Sequence, residues 1–76
     1  MVDNSQYPCL SPVLTDREIE ILRLIGKGET NAQIALELSI SVRTVRSHIE
    51  RVMHKLKVRN RTEAVIKAIK SGLLEL

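Results

Sequence analysis

Between Ser41 and Arg61 the chain places seven basic side chains against a single acid, Glu50. The seven are Arg43, Arg46, Arg51, Lys55, Lys57, Arg59 and Arg61. Guanidinium and ammonium groups donate hydrogen bonds and accept none, which suits phosphate oxygens and the acceptor edge of guanine. The sequence offers little other chemistry. Cys9, His48 and His54 lack the spacing of metal ligands, and one cysteine cannot form an internal disulfide. Glu18 has no second acid, nucleophile or metal site beside it. No catalytic constellation supports an enzyme, and no cofactor is implied.

The positive charge is concentrated late in the chain. Residues 1–40 carry a net charge of −3 and residues 41–76 a net charge of +6, within an overall +3. Such asymmetry is a first sign of a polyanion partner, although a solvated helix face would show it too. With 76 residues, 43% of them hydrophobic and 28% charged, the chain is long enough for one small soluble domain. Its apolar residues are almost all aliphatic, and Tyr7 is the only aromatic. A core this small is marginal alone, which favours help from a second copy. No apolar run exceeds three residues and no basic leader is visible, so the expectation is a cytoplasmic protein without a membrane span.

Four helices must hold the basic residues in place. Residues 1–13, with Pro8, Pro12 and little charge, read as a flexible tail or linker, and Cys9 within it as an incidental thiol. The domain proper is residues 14–76. Thr15-Asp16-Arg17-Glu18 is a capping box, opening a helix that runs to about Lys27, buries Ile19, Ile21, Leu22 and Ile25, and stops at Gly28. Thr30-Asn31-Ala32-Gln33 repeats the box and starts a short helix with Ile34, Ala35 and Leu38 inward. After Ser39-Ile40, Ser41 caps the longest helix, Val42 to about Leu56. Val42, Val45, Ile49, Val52, Met53 and Leu56 form its apolar stripe. Arg43, Ser47, Glu50, Arg51 and His54 project from its other side, with Arg46 at the boundary. Asn60-Arg61-Thr62-Glu63 is a looser box opening a fourth helix that Gly72 ends. No segment alternates long enough to make a strand, so the fold class is all-α.

A short helix, a three-residue turn and a longer basic helix make a helix-turn-helix, whose second helix fits the DNA major groove. The order of the motifs is more specific. Leu14-Thr15-Asp16-Arg17-Glu18 is followed by Gly28-Glu29-Thr30-Asn31-Ala32-Gln33-Ile34-Ala35 and Ser41-Val42-Arg43-Thr44-Val45-Arg46-Ser47-His48. Lys55-Leu56-Lys57-Val58 and Asn60-Arg61-Thr62-Glu63-Ala64 complete the series. From about Leu14 to Leu74 the chain resembles the LuxR-type DNA-binding domain, the output domain of many bacterial response regulators and quorum-sensing regulators. The resemblance implies a four-helix domain that reads double-stranded DNA with its third helix and dimerises through its fourth. Two departures stand out. Lys57 occupies a position where the family commonly has glycine, and is read as an extra helical residue. Glu29 replaces a common apolar residue, which removes a hydrophobic staple onto Ile34 and leaves the Thr30 cap intact.

Carried onto this sequence, the resemblance places Arg46 and Ser47 at base edges, with Glu50 one turn further along. Arg46 could instead hold a phosphate, and Glu50 could pair with Arg46 or Arg43. Thr30, Asn31, Ser41, Arg43, Thr44 and Arg51 are the phosphate candidates, although Thr30 and Ser41 are equally well explained as caps. His48 matches a position near the DNA backbone, and a solvated histidine would look the same. Lys55, Lys57, Arg59 and Arg61 are read as diffuse attraction. Val65, Ala68 and Ile69 are the dimer candidates, a stripe that must also feed the core. RNA polymerase is a further candidate partner. A σ-factor promoter-recognition domain is the nearest rival, and the fourth capped helix argues against it. A protein-interaction module that lost DNA binding is opposed by the intact basic third helix.

Overall fold

The computed structural model describes residues 14–75, so the expected tail and Cys9 lie outside the described residues. Four helices follow in order: α1 (Asp16–Gly26), α2 (Asn31–Leu38), α3 (Val42–Leu56) and α4 (Arg61–Lys70). Among the described residues there is no strand.

Each helix starts where a side chain satisfies its free amides. Thr15 Oγ1 accepts from the Glu18 amide at 3.1 Å, and Glu18 Oε1 accepts from the Thr15 amide at 2.9 Å. Thr30 and Gln33 repeat this reciprocal pair at 3.1 and 2.8 Å. The Thr30 cap thus forms with Glu29 in front of it. Ser41 Oγ accepts from the Thr44 amide at 3.0 Å. The fourth box is displaced by one residue: Asn60 Oδ1 accepts from Glu63, but the Glu63 carboxylate takes the Arg59 amide rather than that of Asn60.

All four helices end in the same paired bonds, in which two amides beyond the helix reach back to its last carbonyls. The motif needs one residue at positive φ. Gly28 (91°) and Gly72 (80°) supply it for α1 and α4, whereas Ser39 (60°) and Lys57 (58°) do so for α2 and α3. Lys57 is therefore not an additional helical residue, which corrects the reading above. Val58 is packed on the core, and the chain must reverse at Lys57 to bring it there. From α4, Lys67 Nζ donates to the Leu56 carbonyl at 2.8 Å, satisfying another carbonyl that the helix end leaves without an amide partner. A left-handed lysine costs about 1 kcal/mol relative to glycine. Lys57→Gly should accordingly raise stability by about 1 kcal/mol and the melting temperature by about 4–8 °C. Thermal denaturation followed by circular dichroism checks this, and a lower melting temperature would show that the Lys57 side chain contributes more than its backbone costs.

Two apolar clusters hold the helices together. Ile21, Leu24, Ile34, Ala35, Val45 and Ile49 lock α1, α2 and α3. Leu14, Leu22, Val52, Leu56, Ala64, Val65, Ala68 and Leu74 join α1, α3 and α4. Ile25 and Met53 pack against both clusters, so α3 is gripped from two sides. Ala35 is 6% exposed, and its small side chain lets α2 lie close on Val45 and Ile49.

One buried charge lies under the first cap. Glu18 is only 2% exposed, and its Oε1 also accepts from Lys55 Nζ at 2.8 Å. Burial pushes the Glu18 pKa up, but the Lys55 hydrogen bond, the Thr15 amide and the Lys55 charge outweigh it and leave the pKa lowered.

Candidate nucleic-acid interface

The core takes one side of α3 and leaves the other free. Val45, Ile49, Val52 and Leu56 are buried, while Arg43, Arg46, Ser47, Glu50, Arg51 and His54 are exposed. Glu50 makes no ion pair with Arg43 or Arg46 among the described residues. The three arginines thus keep their donors for a partner.

Two sets of these residues line concavities on the helix, with Glu50 common to both. Ser47, Glu50, Arg51, His54 and Lys55 line a shallow depression of about 340 Å³ on the outer side of α3. Arg46 lies on the flank, in an open cleft of about 650 Å³ that also takes in Thr30, Asn31, Val42 and Arg61. A neighbouring cleft of about 370 Å³ brings Arg46 and Glu50 together with Arg59 and Arg61. Arg59 and Arg61, read above as diffuse attraction, therefore belong to the same surface as the third helix.

The phosphate candidates are spread along this surface. Thr30 and Ser41 are exposed at the starts of α2 and α3, with their hydroxyls engaged as caps. Thr44 is half-buried, and its hydroxyl lies 2.9 Å from Ser41 Oγ. Asn31 is half-buried in the first turn of α2. His48 is half-buried too, and its Nδ1 is enclosed without a hydrogen-bond partner among the described residues. Beside the α2 cap, Glu29 Oε1 is likewise enclosed without a partner. Burial raises the Glu29 pKa and so does the neighbouring Glu37 carboxylate, with Lys27 opposing them.

The α4 stripe divides in a way that corrects the dimer reading. Ala68 is fully buried and Val65 is 9% exposed, both within the core cluster beside Leu56 and Ala64. Neither can reach a second molecule without unfolding the domain. Ile69, at 42% exposure, stays available, and Ile66, at 47%, stands beside it on the helix surface. Hydrophobic spacing alone marks a stripe without saying which edge meets α1 and α3.

Among the described residues no helix is long and apolar enough to cross a membrane, and no cluster of side chains could hold a metal ion. A four-helix domain built on a helix-turn-helix, with exposed arginines on the second helix of that motif, has the form of a DNA-binding domain. The comparisons with known proteins narrow this class. The family of bacterial regulatory proteins of the luxR type matches residues 12–68, and the chain belongs to that family. Response regulator protein VraR of Staphylococcus aureus is 44% identical over 66 residues, covering 87% of this chain and 32% of that protein. The chain thus spans about a third of the length of the curated relatives it matches. The structure of the transcription factor GerE superposes with a TM-score of 0.79 at 37% identity, over 82% of this chain and 92% of GerE. The response regulator ChrA, of a heme-sensing two-component system, gives 0.81 at 37% identity, over 93% of this chain and 35% of ChrA. The family is one of transcription regulators rather than an enzyme class.

Proposed function

We propose that residues 14–76 form the DNA-binding output unit of a bacterial transcriptional regulator of the response-regulator kind. The unit inserts α3 into the major groove of a specific operator and binds as a homodimer. The observation that carries this reading is the rigidly seated α3, buried along one stripe and presenting Arg43, Arg46 and Arg51 unpaired along the rest. Arg46, Ser47 and Glu50 face base edges in this reading. Thr30, Asn31, Ser41, Arg43, Thr44 and Arg51 meet phosphates on either side. The dimer contact is the exposed pair Ile66 and Ile69 on α4. Work at a promoter places the protein in the bacterial cytoplasm and makes RNA polymerase its natural further partner.

The test is selection of a duplex from random sequence, followed by affinity measurements across salt. With about five to seven phosphates neutralised per subunit, log K should fall against log salt by about 0.9 per contact. Selected sites should contain two half-sites with centres about 34–36 Å apart, related by a two-fold axis. Ile69→Asp should keep its helicity and lose cooperative binding. Equal affinity for scrambled duplex would overturn the specific reading, and unchanged cooperativity in Ile69→Asp would move the dimer contact off α4.

A further inference from the structure

The backbones of α2 and α4 do not approach one another closely. Their first turns are nevertheless joined, because an Nη2–H of Arg61 donates to Asn31 Oδ1 across 30 residues of sequence. A guanidinium group carries donors and no acceptor, so the Asn31 atom facing it must be the carbonyl oxygen. That settles which way the carboxamide is turned, an assignment often left open for asparagine. The Nδ2 amide then points away from Arg61, and no described group accepts from it. Both residues line the cleft that Arg46 enters from α3.

We infer that Arg61 is a positioning residue for DNA contact, holding Asn31 so that its Nδ2 amide is presented as a donor to a backbone phosphate. The inference rests on the DNA-binding reading above and adds to it a role for α4 in building the contact surface. Phosphate oxygens only accept hydrogen bonds. An unrestrained carboxamide would offer them its own oxygen in half of its orientations, whereas the Arg61 bond removes that orientation before DNA arrives. A contact on α2 is in this way set by a residue of the helix that carries Ile66 and Ile69.

The experiment titrates the full chain with a selected duplex, reading affinity by fluorescence anisotropy and the Asn31 side-chain amide by NMR. In the native chain the Asn31 amide signals should shift on DNA addition. In Arg61→Ala that shift should be lost. Asn31→Ala and Arg61→Ala should each weaken binding about tenfold, the usual scale for a hydrogen bond to a charged group. The double variant should be little weaker than either single one, because Arg61 acts through Asn31. Arg61→Lys, which keeps a donor and the charge, should recover most of the affinity. Circular dichroism should show native helicity in each variant. A hundredfold loss in the double variant, or an Asn31 amide that DNA leaves unshifted in the native chain, overturns the inference while DNA binding stands. Absence of any duplex binding by the native chain overturns both.

Discussion

Lys55→Ala is expected to lower folding stability by about 2–3 kcal/mol, because it strands a buried carboxylate. Glu18 is almost wholly enclosed beneath the α1 cap, and its Oε1 is shared between Lys55 Nζ and the Thr15 amide. Removing Lys55 leaves only the Thr15 amide and side chain to offset burial of the charge. A fully buried pair would cost about 3–5 kcal/mol to break. The Lys55 side chain is 31% exposed, so water can approach from its side, and the lower figure applies. A domain of this size has about 5 kcal/mol in total, so the change removes about half of it. Urea denaturation followed by circular dichroism measures the loss. A change below about 0.5 kcal/mol, the scale of an exposed ion pair, would show that water replaces Lys55 completely.

The pH dependence of the same variant carries a sign that can be worked out. The native Glu18 pKa lies below the ordinary 4.5, so its stabilisation is present above that value and is lost as pH falls through the lowered pKa. Burial is already the largest single influence on that pKa, and without Lys55 less opposes it, so the pKa rises. The variant then relieves its unpaired charge by taking up a proton at higher pH than the native chain does, and the stability gap between them should narrow as pH falls through the carboxylate range. Glu29 acts in the opposite direction. Its raised pKa stabilises the fold at low pH, with that contribution lost as pH rises through the raised value. Since it is present in both chains, it cancels in the difference.

Arg46→Ala and Arg51→Ala should separate base reading from phosphate holding. Arg46 lies on the flank of α3 near its N-terminal half, the part of a recognition helix that meets base edges. Arg51 stands five residues later and on a different side of the helix, in the depression shared with Ser47 and His54. Arg46→Ala should cost about 1–3 kcal/mol on the preferred operator and relax the preference at one base position. Arg51→Ala should weaken all sequences alike and reduce the salt slope by about one contact. Both residues are exposed, so helicity should survive. Arg46 lines the same cleft as the phosphate candidate Asn31, which makes this a sharp comparison. An unchanged base profile for Arg46→Ala would assign it to the backbone.

The helices themselves were written locally. Thr15, Thr30, Ser41 and Asn60 each cap a helix through an amide three residues on, and that spacing can be read without knowing the fold. The apolar period of α3 likewise separates its core stripe from its basic face, because one helix carries both. What the tertiary structure alone decided involves partners that meet only after packing. Glu18 is a capping residue in sequence, and only the crossing of α1 and α3 makes it the buried partner of Lys55, 37 residues away. The α4 stripe has no local mark dividing Val65 and Ala68, which face the core, from Ile66 and Ile69, which do not. Lys57 continues a helical pattern by type, yet packing of Val58 onto the core turns it left-handed. Arg61 and Asn31 come within reach through their separate attachments to α1 and α3. Caps and periodicity depend on neighbours three or four residues apart, whereas these pairings depend on where whole helices come to rest against a shared core.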